Sequence, residues 1–195
     1  ENPRIEGLSL DTANISVAGF SLGGHSALAI SGLQVSKAKF IEYCDRNADI
    51  WDCGWLSRGG VDFTEINADL YNARYLDSRV GATIAIDPAL APAAIIESAV
   101  EISHPVMVIN FKPYEGVPEA LDDAPITEAM PNARYKAIPQ SWHFSFLPEC
   151  SLLGKIVIGL GGEENICSDW KLRDRSDVHQ ALINQIVPFL DESLK

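Results

Sequence analysis

Residues 19–24, Gly-Phe-Ser-Leu-Gly-Gly, constrain the fold of this chain more than any other stretch. They follow an apolar run at residues 15–18 and precede a helix-like run at residues 26–30, so the order is strand, tight turn, helix. A G-x-S-x-G motif in this setting puts its serine on a sharp turn with the hydroxyl exposed. The flanking glycines are expected because side chains there would collide with the strand or the helix. Ser21 is therefore predicted to be a nucleophile at a helix N-terminus.

A phosphate-binding loop is the alternative interpretation of a glycine-rich turn between a strand and a helix. The residues that follow Ser21 lack the Gly-Lys-Ser/Thr ending of such a loop. The spacing also differs from the G-x-G-x-x-G of dinucleotide-binding folds. The motif can also occur by chance, because Gly and Ser are common residues. The strand–turn–helix setting favours the nucleophile interpretation.

Alternating strand-like and helix-like segments predict an α/β fold with a mostly parallel sheet covered by helices on both faces. The predicted strands are residues 15–18, 80–86, 106–111 and 133–138. The predicted helices are residues 22–30, 93–100 and about 176–190, and Pro188 is expected to kink or fray the last turn of the third. Residues 32–78 form an excursion of short helices and loops. The length of 195 residues indicates a single domain, 1–195.

The position of the glycine-rich turn near the start of the chain is unusual. Folds built around such a turn normally place several strands before the serine's strand, and here only residues 1–14 precede it. A four-stranded remnant would leave one apolar sheet edge bare, which favours aggregation. We expect an N-terminal portion of the domain to be missing from this chain, or to be supplied by another chain or segment.

The charge balance excludes some classes of partner. Asp and Glu number 27 against 15 Lys and Arg, which gives a net charge of −12. Such a surface repels polyanions, so a nucleic-acid partner and an anionic membrane surface are both disfavoured. No apolar run approaches the roughly 18 residues of a membrane-spanning helix.

The chain has four cysteines, Cys44, Cys53, Cys150 and Cys167. An even number is compatible with two disulfides, and the chain order suggests 44–53 and 150–167 among three possible connectivities. Four buried thiols are the alternative, and the absence of a C-x-x-C spacing argues against zinc or another metal site. Disulfides favour an oxidising compartment, so a periplasmic or secreted location is expected.

A nucleophilic serine needs a general base, usually a histidine held by a carboxylate. His143 follows the fourth predicted strand, so it should lie at the carboxyl end of the sheet, and it follows Ser21 in the chain order that this type of turn requires. His25 is expected to point away from the hydroxyl. His104 lies at the opposite end of the sheet, and His179 is expected on the surface of the last helix. His143 is therefore the predicted base.

Two carboxylates compete for the role of the acid. Asp87 ends the second predicted strand, and a charge directly after a buried strand must be solvated or paired. It could instead be a turn former before Pro88. Glu115 follows the third strand and is the alternative acid. Asp87 is favoured because the strand fixes its position, whereas Asp122 and Asp123 are interpreted as solvated loop charges.

Segments spread over most of the chain carry a family resemblance: residues 19–24, 84–88, 143–147 and 167–169, with Cys44, Cys53 and Cys150. They are similar to bacterial dienelactone-hydrolase-like proteins related to platelet-activating-factor acetylhydrolases. The resemblance implies an α/β-hydrolase fold, hydrolysis of esters and an acid at Asp87. It is incomplete, because true dienelactone hydrolases use a cysteine where this chain has Ser21. Many relatives also have an aspartate near the position of Glu115.

These expectations combine into one mechanism. A Ser21–His143–Asp87 triad would cleave short-chain or phospholipid-type esters in two acyl-transfer steps, with the backbone N–H of Leu22 in the oxyanion hole and no cofactor. The partner would be a small-molecule ester substrate. The alternative is a catalytically silent binding or structural module that keeps the fold.

Overall fold

The computed structural model of the chain describes residues 4–5, 7–9, 11–48, 50–112, 122–161, 166–169 and 172–194. It is an α/β fold around a four-stranded, wholly parallel sheet. A short antiparallel pair, β1 (Arg4–Ile5) and β2 (Leu8–Ser9), precedes the sheet. The sheet has the order β3-β4-β5-β6, with strands β3 (Ile15–Phe20), β4 (Val80–Ile86), β5 (Val106–Lys112) and β6 (Ala133–Pro139).

The helices alternate with these strands. They are α1 (Leu22–Ile30), α2 (Lys37–Arg46), α3 (Trp51–Arg58), α4 (Ala68–Tyr71), α5 (Ile96–Ala99), α6 (Ala124–Ala129), α7 (Leu152–Leu160) and α8 (Arg175–Ser193). Two 3-10 turns, Ala91–Ala93 and His143–Phe146, follow β4 and β6. Within the described part of the chain, no helix combines the length and apolarity needed to cross a bilayer.

Both faces of the sheet are covered because alternate strand residues point to opposite sides. On one face, Ala85 and Val108 pack in a buried cluster with Leu28 of α1 and Ile126 of α6. On the other face, a second buried cluster packs residues of β4 and β5 against α8. It includes Ile84, Ile86, Met107, Ile109, Val178, Leu182 and Phe189. The prediction of a parallel sheet with helices on both faces is confirmed.

The strand predictions are confirmed, with extensions of one or two residues at the carboxyl ends of β3, β5 and β6. The helix predicted at 93–100 is wrong in its first half. Ala94 is extended and pairs with Val35 in an isolated bridge, so only Ile96–Ala99 is α-helical. A tertiary backbone contact therefore overrides the helix propensity of an alanine-rich run. Pro188 lies inside α8, which continues to Ser193, so the expected fraying there is also wrong.

The excursion at 32–78 contains α2, α3 and α4, as predicted. A third buried cluster packs Phe40 and Cys53 against Leu90 and Ala93, which follow β4. The disulfide Cys44–Cys53 joins α2 to α3. The second disulfide, Cys150–Cys167, joins the segment after the second 3-10 turn to the segment before α8. Both predicted pairings are confirmed, and the alternative of four free thiols is wrong.

Candidate active site

The turn at Ser21 has a strained backbone, with φ 57° and ψ −123°. The Ser21 N–H donates to the carbonyl of Ile86 at the end of β4 (3.0 Å), and its carbonyl accepts from His25 (3.0 Å) and Ala89 (3.1 Å). Positive φ in a non-glycine residue persists only when its surroundings hold it in place. These three bonds fix the serine at the junction of β3 and α1.

The close packing of this turn requires glycine at position 19 and disfavours a side chain at position 24, but it leaves room at position 23. A Cβ at Gly19 would lie 2.0 Å from the carbonyl oxygen of Gly23, so a side chain cannot fit there. The prediction that Gly23 also avoids a collision is wrong, because a Cβ there meets no atom of the described residues within 4 Å. The crowded position on the helix is Gly24, whose Cβ would lie 3.1 Å from Pro88. The last glycine of residues 19–24 thus has the steric role that was expected of Gly23.

The structure brings Ser21, His143 and Asp87 together. His143 Nε2 lies 3.0 Å from Ser21 Oγ, and His143 Nδ1 lies 2.7 Å from Asp87 Oδ2. The side chains of His143 and Asp87 are each 17% exposed, so the pair is largely shielded from water. One imidazole therefore contacts a hydroxyl with one nitrogen and a carboxylate with the other, which is the arrangement that a general base needs.

Asp87 is held by the strand that follows it in the sheet. Its other oxygen, Oδ1, accepts from the backbone N–H of Phe111 (2.9 Å) and from Asn110 Nδ2 (3.2 Å). Its own N–H donates to the Ile109 carbonyl (2.6 Å), and its φ is 45°. The carboxyl end of β5 thus orients the carboxylate, which leaves Oδ2 for His143.

A second carboxyl group lies behind Asp87. Asp123 is 2% exposed and accepts from Asn110 Nδ2 (2.8 Å). Burial raises its pKa to about 8. The Asn110 hydrogen bond lowers the pKa in part, and the charge of Asp87 raises it further. The interpretation of Asp123 as a solvated loop charge is therefore wrong. Asp122 is only partly exposed and bonds Lys112 Nζ (2.6 Å) and the Tyr135 hydroxyl (2.7 Å), so it too is not a free loop charge.

The 3-10 turn that carries His143 is anchored from several sides. The ring of Phe20, next to the serine, lies 4.6 Å from the His143 ring and stacks on Phe146 at 4.3 Å. Asp169 accepts from Ser145 Oγ (3.2 Å), and Arg175, with a side chain 3% exposed, lies 3.0 Å from both oxygens of Asp169. An ion pair with a buried arginine and a partly exposed aspartate, close in the chain to the Cys150–Cys167 disulfide, thus holds the turn.

The other three histidines lie away from the serine hydroxyl. His25 is on the first turn of α1, and burial lowers its pKa. His104 precedes β5 and contacts Thr83 Oγ1 at 2.9 Å, and burial lowers its pKa as well. His179 lies on α8, as expected, is partly exposed, and contacts the Phe146 carbonyl at 3.1 Å. It also supports the His143 turn.

The alternative acid, Glu115, lies outside the described residues. In the described ranges, no group of three or more His, Cys, Asp or Glu residues is placed to hold a metal ion. Leu22 is the first residue of α1, so its N–H has no partner within the helix and is available next to Ser21. A cavity of about 140 Å³ opens beside these groups, and its lining includes Ser21, Leu22 and His143.

Several residues around the site were not identified from the sequence. Asn110 lies near the carboxyl end of the buried strand β5, beside Asp87, and this position could have identified it. Asp52, which lines the cavity, gave no local signal because its place depends on contacts with a distant segment. Asp169 and Arg175 are only six residues apart, but no sequence pattern marked them as a pair.

Comparison with protein-family models and with curated proteins found nothing that matches this chain.

Proposed function

We propose that this chain is a serine ester hydrolase with an α/β-hydrolase fold. The observation that carries the proposal is the continuous contact from Ser21 Oγ to His143 Nε2 (3.0 Å) and from His143 Nδ1 to Asp87 Oδ2 (2.7 Å). The serine lies on a strained turn between a strand and a helix, which is the setting that a nucleophile of this type requires. Such a triad serves acyl transfer from esters or amides, and the resemblance to dienelactone-hydrolase-like proteins favours esters.

In the first step, His143 Nε2 takes the Ser21 proton as Ser21 Oγ forms a bond to the ester carbonyl carbon. The carbonyl oxygen becomes an oxyanion, and the Leu22 N–H donates one hydrogen bond to it. Asp87 keeps the imidazole in the tautomer with its proton on Nδ1 and stabilises the imidazolium that forms. When the tetrahedral intermediate collapses, the bond to the alcohol breaks and His143 gives its proton to the departing oxygen.

In the second step, water replaces the alcohol. His143 takes a proton from the water as the water oxygen bonds to the acyl carbon. The oxyanion of the resulting tetrahedral intermediate again accepts a hydrogen bond from the Leu22 N–H. Collapse breaks the bond to Ser21 Oγ, which regains the proton from His143, and the acid product leaves. The proton balance closes with no cofactor.

The family resemblance and the site support a narrower proposal on substrate and location. Similarity to dienelactone-hydrolase-like and platelet-activating-factor-acetylhydrolase-related proteins points to short-chain or phospholipid-type esters. The two disulfides favour a periplasmic or secreted location. The expectation that missing N-terminal strands are supplied by another chain or segment stays a prediction, as does the exclusion of nucleic acid as a partner.

Turnover of a p-nitrophenyl ester by the full chain tests the proposal. The chain and a Ser57→Ala control, which removes an exposed hydroxyl on α3, should both release nitrophenol. Ser21→Ala should lose this activity by about 10³-fold or more. If the chain and Ser21→Ala hydrolyse the ester equally slowly, the proposal fails and the catalytically silent module becomes the better account.

A further inference from the structure

The cavity beside the triad is apolar and aromatic apart from three side chains. Two of these are Ser21 and His143, and the third is Asp52 of α3. The remaining lining residues are Leu22, Trp55, Leu56, Ala89, Leu90 and Phe144. Binding sites for small molecules are typically apolar pockets in which a few polar groups fix the orientation of the ligand. Asp52 is the polar group here that the triad does not use.

The negative charge of the Asp52 carboxylate has few stabilising contacts among the described residues. Its one hydrogen bond among the described residues is a long contact of 3.4 Å from the Leu90 N–H. No lysine or arginine in the described part of the chain forms an ion pair with it. Burial raises the pKa of Asp52, which the Leu90 hydrogen bond and the nearby His143 partly offset. A desolvated carboxylate of this kind is stabilised by a positive charge that enters the cavity.

The walls of the cavity suit a particular kind of cation. Trp55 and Phe144 both line it, and Trp55 remains 53% exposed, so its ring is open to a ligand. Aromatic rings attract quaternary ammonium groups, which carry charge on an apolar surface. A small inorganic cation would instead need several oxygen ligands. An anionic group would be repelled by Asp52 and by Asp87, which lies close enough to raise the pKa of Asp52.

We propose that this cavity binds an organic ammonium group of the ester substrate, with Asp52 as its counter-charge and Trp55 and Phe144 as its aromatic walls. The inference rests on the proposed ester hydrolysis and narrows its substrates to cationic esters. Because the cavity also contains Ser21 and His143, a bound ammonium group places the ester carbonyl of the same small molecule near the nucleophile.

Two matched esters measure this preference. Butyrylcholine carries a trimethylammonium group, and 3,3-dimethylbutyl butyrate has the same shape with a neutral carbon in place of nitrogen. The chain should hydrolyse the cationic ester with a kcat/KM about tenfold or more above the neutral one. Asp52→Asn keeps an acceptor for the Leu90 N–H but removes the charge, and it should lower this ratio severalfold, while the aromatic walls retain the remaining preference. Asp191→Asn, which removes an exposed charge on α8, should leave the ratio unchanged.

A binding measurement separates this inference from the proposed function. Calorimetric titration of Ser21→Ala with tetramethylammonium needs no turnover, and binding should weaken severalfold in the Ser21→Ala/Asp52→Asn double variant. Ser21-dependent hydrolysis with no cation preference, or a preference that Asp52→Asn leaves intact, would overturn the ammonium site but not the esterase proposal. If neither ester is hydrolysed, Asp52-dependent tetramethylammonium binding would support the site alone, and its absence would overturn it.

Discussion

Asn110 and Asp123 form a closed pair of hydrogen bonds in the interior. Asn110 Nδ2 donates to Asp123 Oδ2 (2.8 Å), and the Asp123 N–H donates back to Asn110 Oδ1 (3.1 Å). The same Nδ2 also donates to Asp87 Oδ1 (3.2 Å). Asn110 therefore links a buried carboxyl group to the carboxylate that orients His143, and it acts as a positioning residue.

Replacing Asn110 with alanine tests this role. Asp123 would lose a donor while buried, so unfolding free energy should fall by about 1–3 kcal/mol. Asp87 would keep the Phe111 N–H but lose its second donor, so kcat for ester hydrolysis should fall about tenfold with little change in KM. Asn132→Ala removes an exposed side chain bonded to the Ser103 carbonyl and should preserve kcat. Equal kcat values for Asn110→Ala and the wild type would show that Asn110 does not position Asp87.

The buried carboxyl of Asp123 should make stability depend on pH. Its folded pKa of about 8 lies above the usual 3.8, so between these values the folded chain holds a proton that the unfolded chain has released. Its stabilising contribution is complete below about pH 4 and is lost as pH rises towards 8, by at most about 1.4 kcal/mol per pH unit.

Asp123→Asn removes this titration. Urea unfolding at pH 5 and pH 8 should show the variant gaining stability relative to the wild type at the higher pH. Asp191→Asn, an exposed change of the same charge, should show no such gain. A difference between wild type and Asp123→Asn that is the same at both pH values would mean that Asp123 is ionised throughout.

The sheet was predictable because β3, β4 and β5 are short, mostly apolar runs, whereas β6 alternates polar and apolar residues; each strand ends at or just before a polar residue or a proline. The proximity of Ser21, Asp87 and His143 was predictable for a related reason: chain order and strand ends bring these residues to one side of the sheet, and the structure places them in contact.

Features that depend on tertiary contacts were harder to predict. The run at 93–100 has strong helix propensity, yet the bridge between Ala94 and Val35 keeps its first half extended. From the sequence, Asp123 resembled a loop charge because it lies just before α6 and its buried hydrogen-bond partner, Asn110, lies in β5. The apolar helix α7 was not identified, since its sequence has no polar face from which a helical period could be recognised.

The Asp169–Arg175 pair should matter far more than ion pairs on the surface. Asp169→Asn would leave the buried Arg175 charge without its partner, which typically costs about 3–5 kcal/mol, and kcat should fall as the His143 turn loosens. Glu42→Gln in the exposed Arg46–Glu42 pair should cost at most about 1 kcal/mol. Similar losses for Asp169→Asn and Glu42→Gln in thermal unfolding would argue against an anchoring role.

The two glycines beside Ser21 should respond differently to the same substitution. Gly19→Ala places a Cβ 2.0 Å from the Gly23 carbonyl and should cost about 3 kcal/mol or more, or prevent folding. Gly23→Ala enters open space and should change stability by less than about 1 kcal/mol. Urea unfolding measures the stability of the two variants. Equal losses of unfolding free energy would mean that α1 does not pack closely against β3 at Gly19.

The most direct test of the central claim is covalent labelling by a fluorophosphonate, read by intact-mass and peptide mass spectrometry. The account predicts one adduct, on Ser21, with labelling at least about 10²-fold slower in His143→Ala because the hydroxyl then lacks its base. His104→Ala, which removes a histidine outside the site, should label at the wild-type rate. An adduct on another residue, or equal labelling of Ser21 with and without His143, would contradict the account.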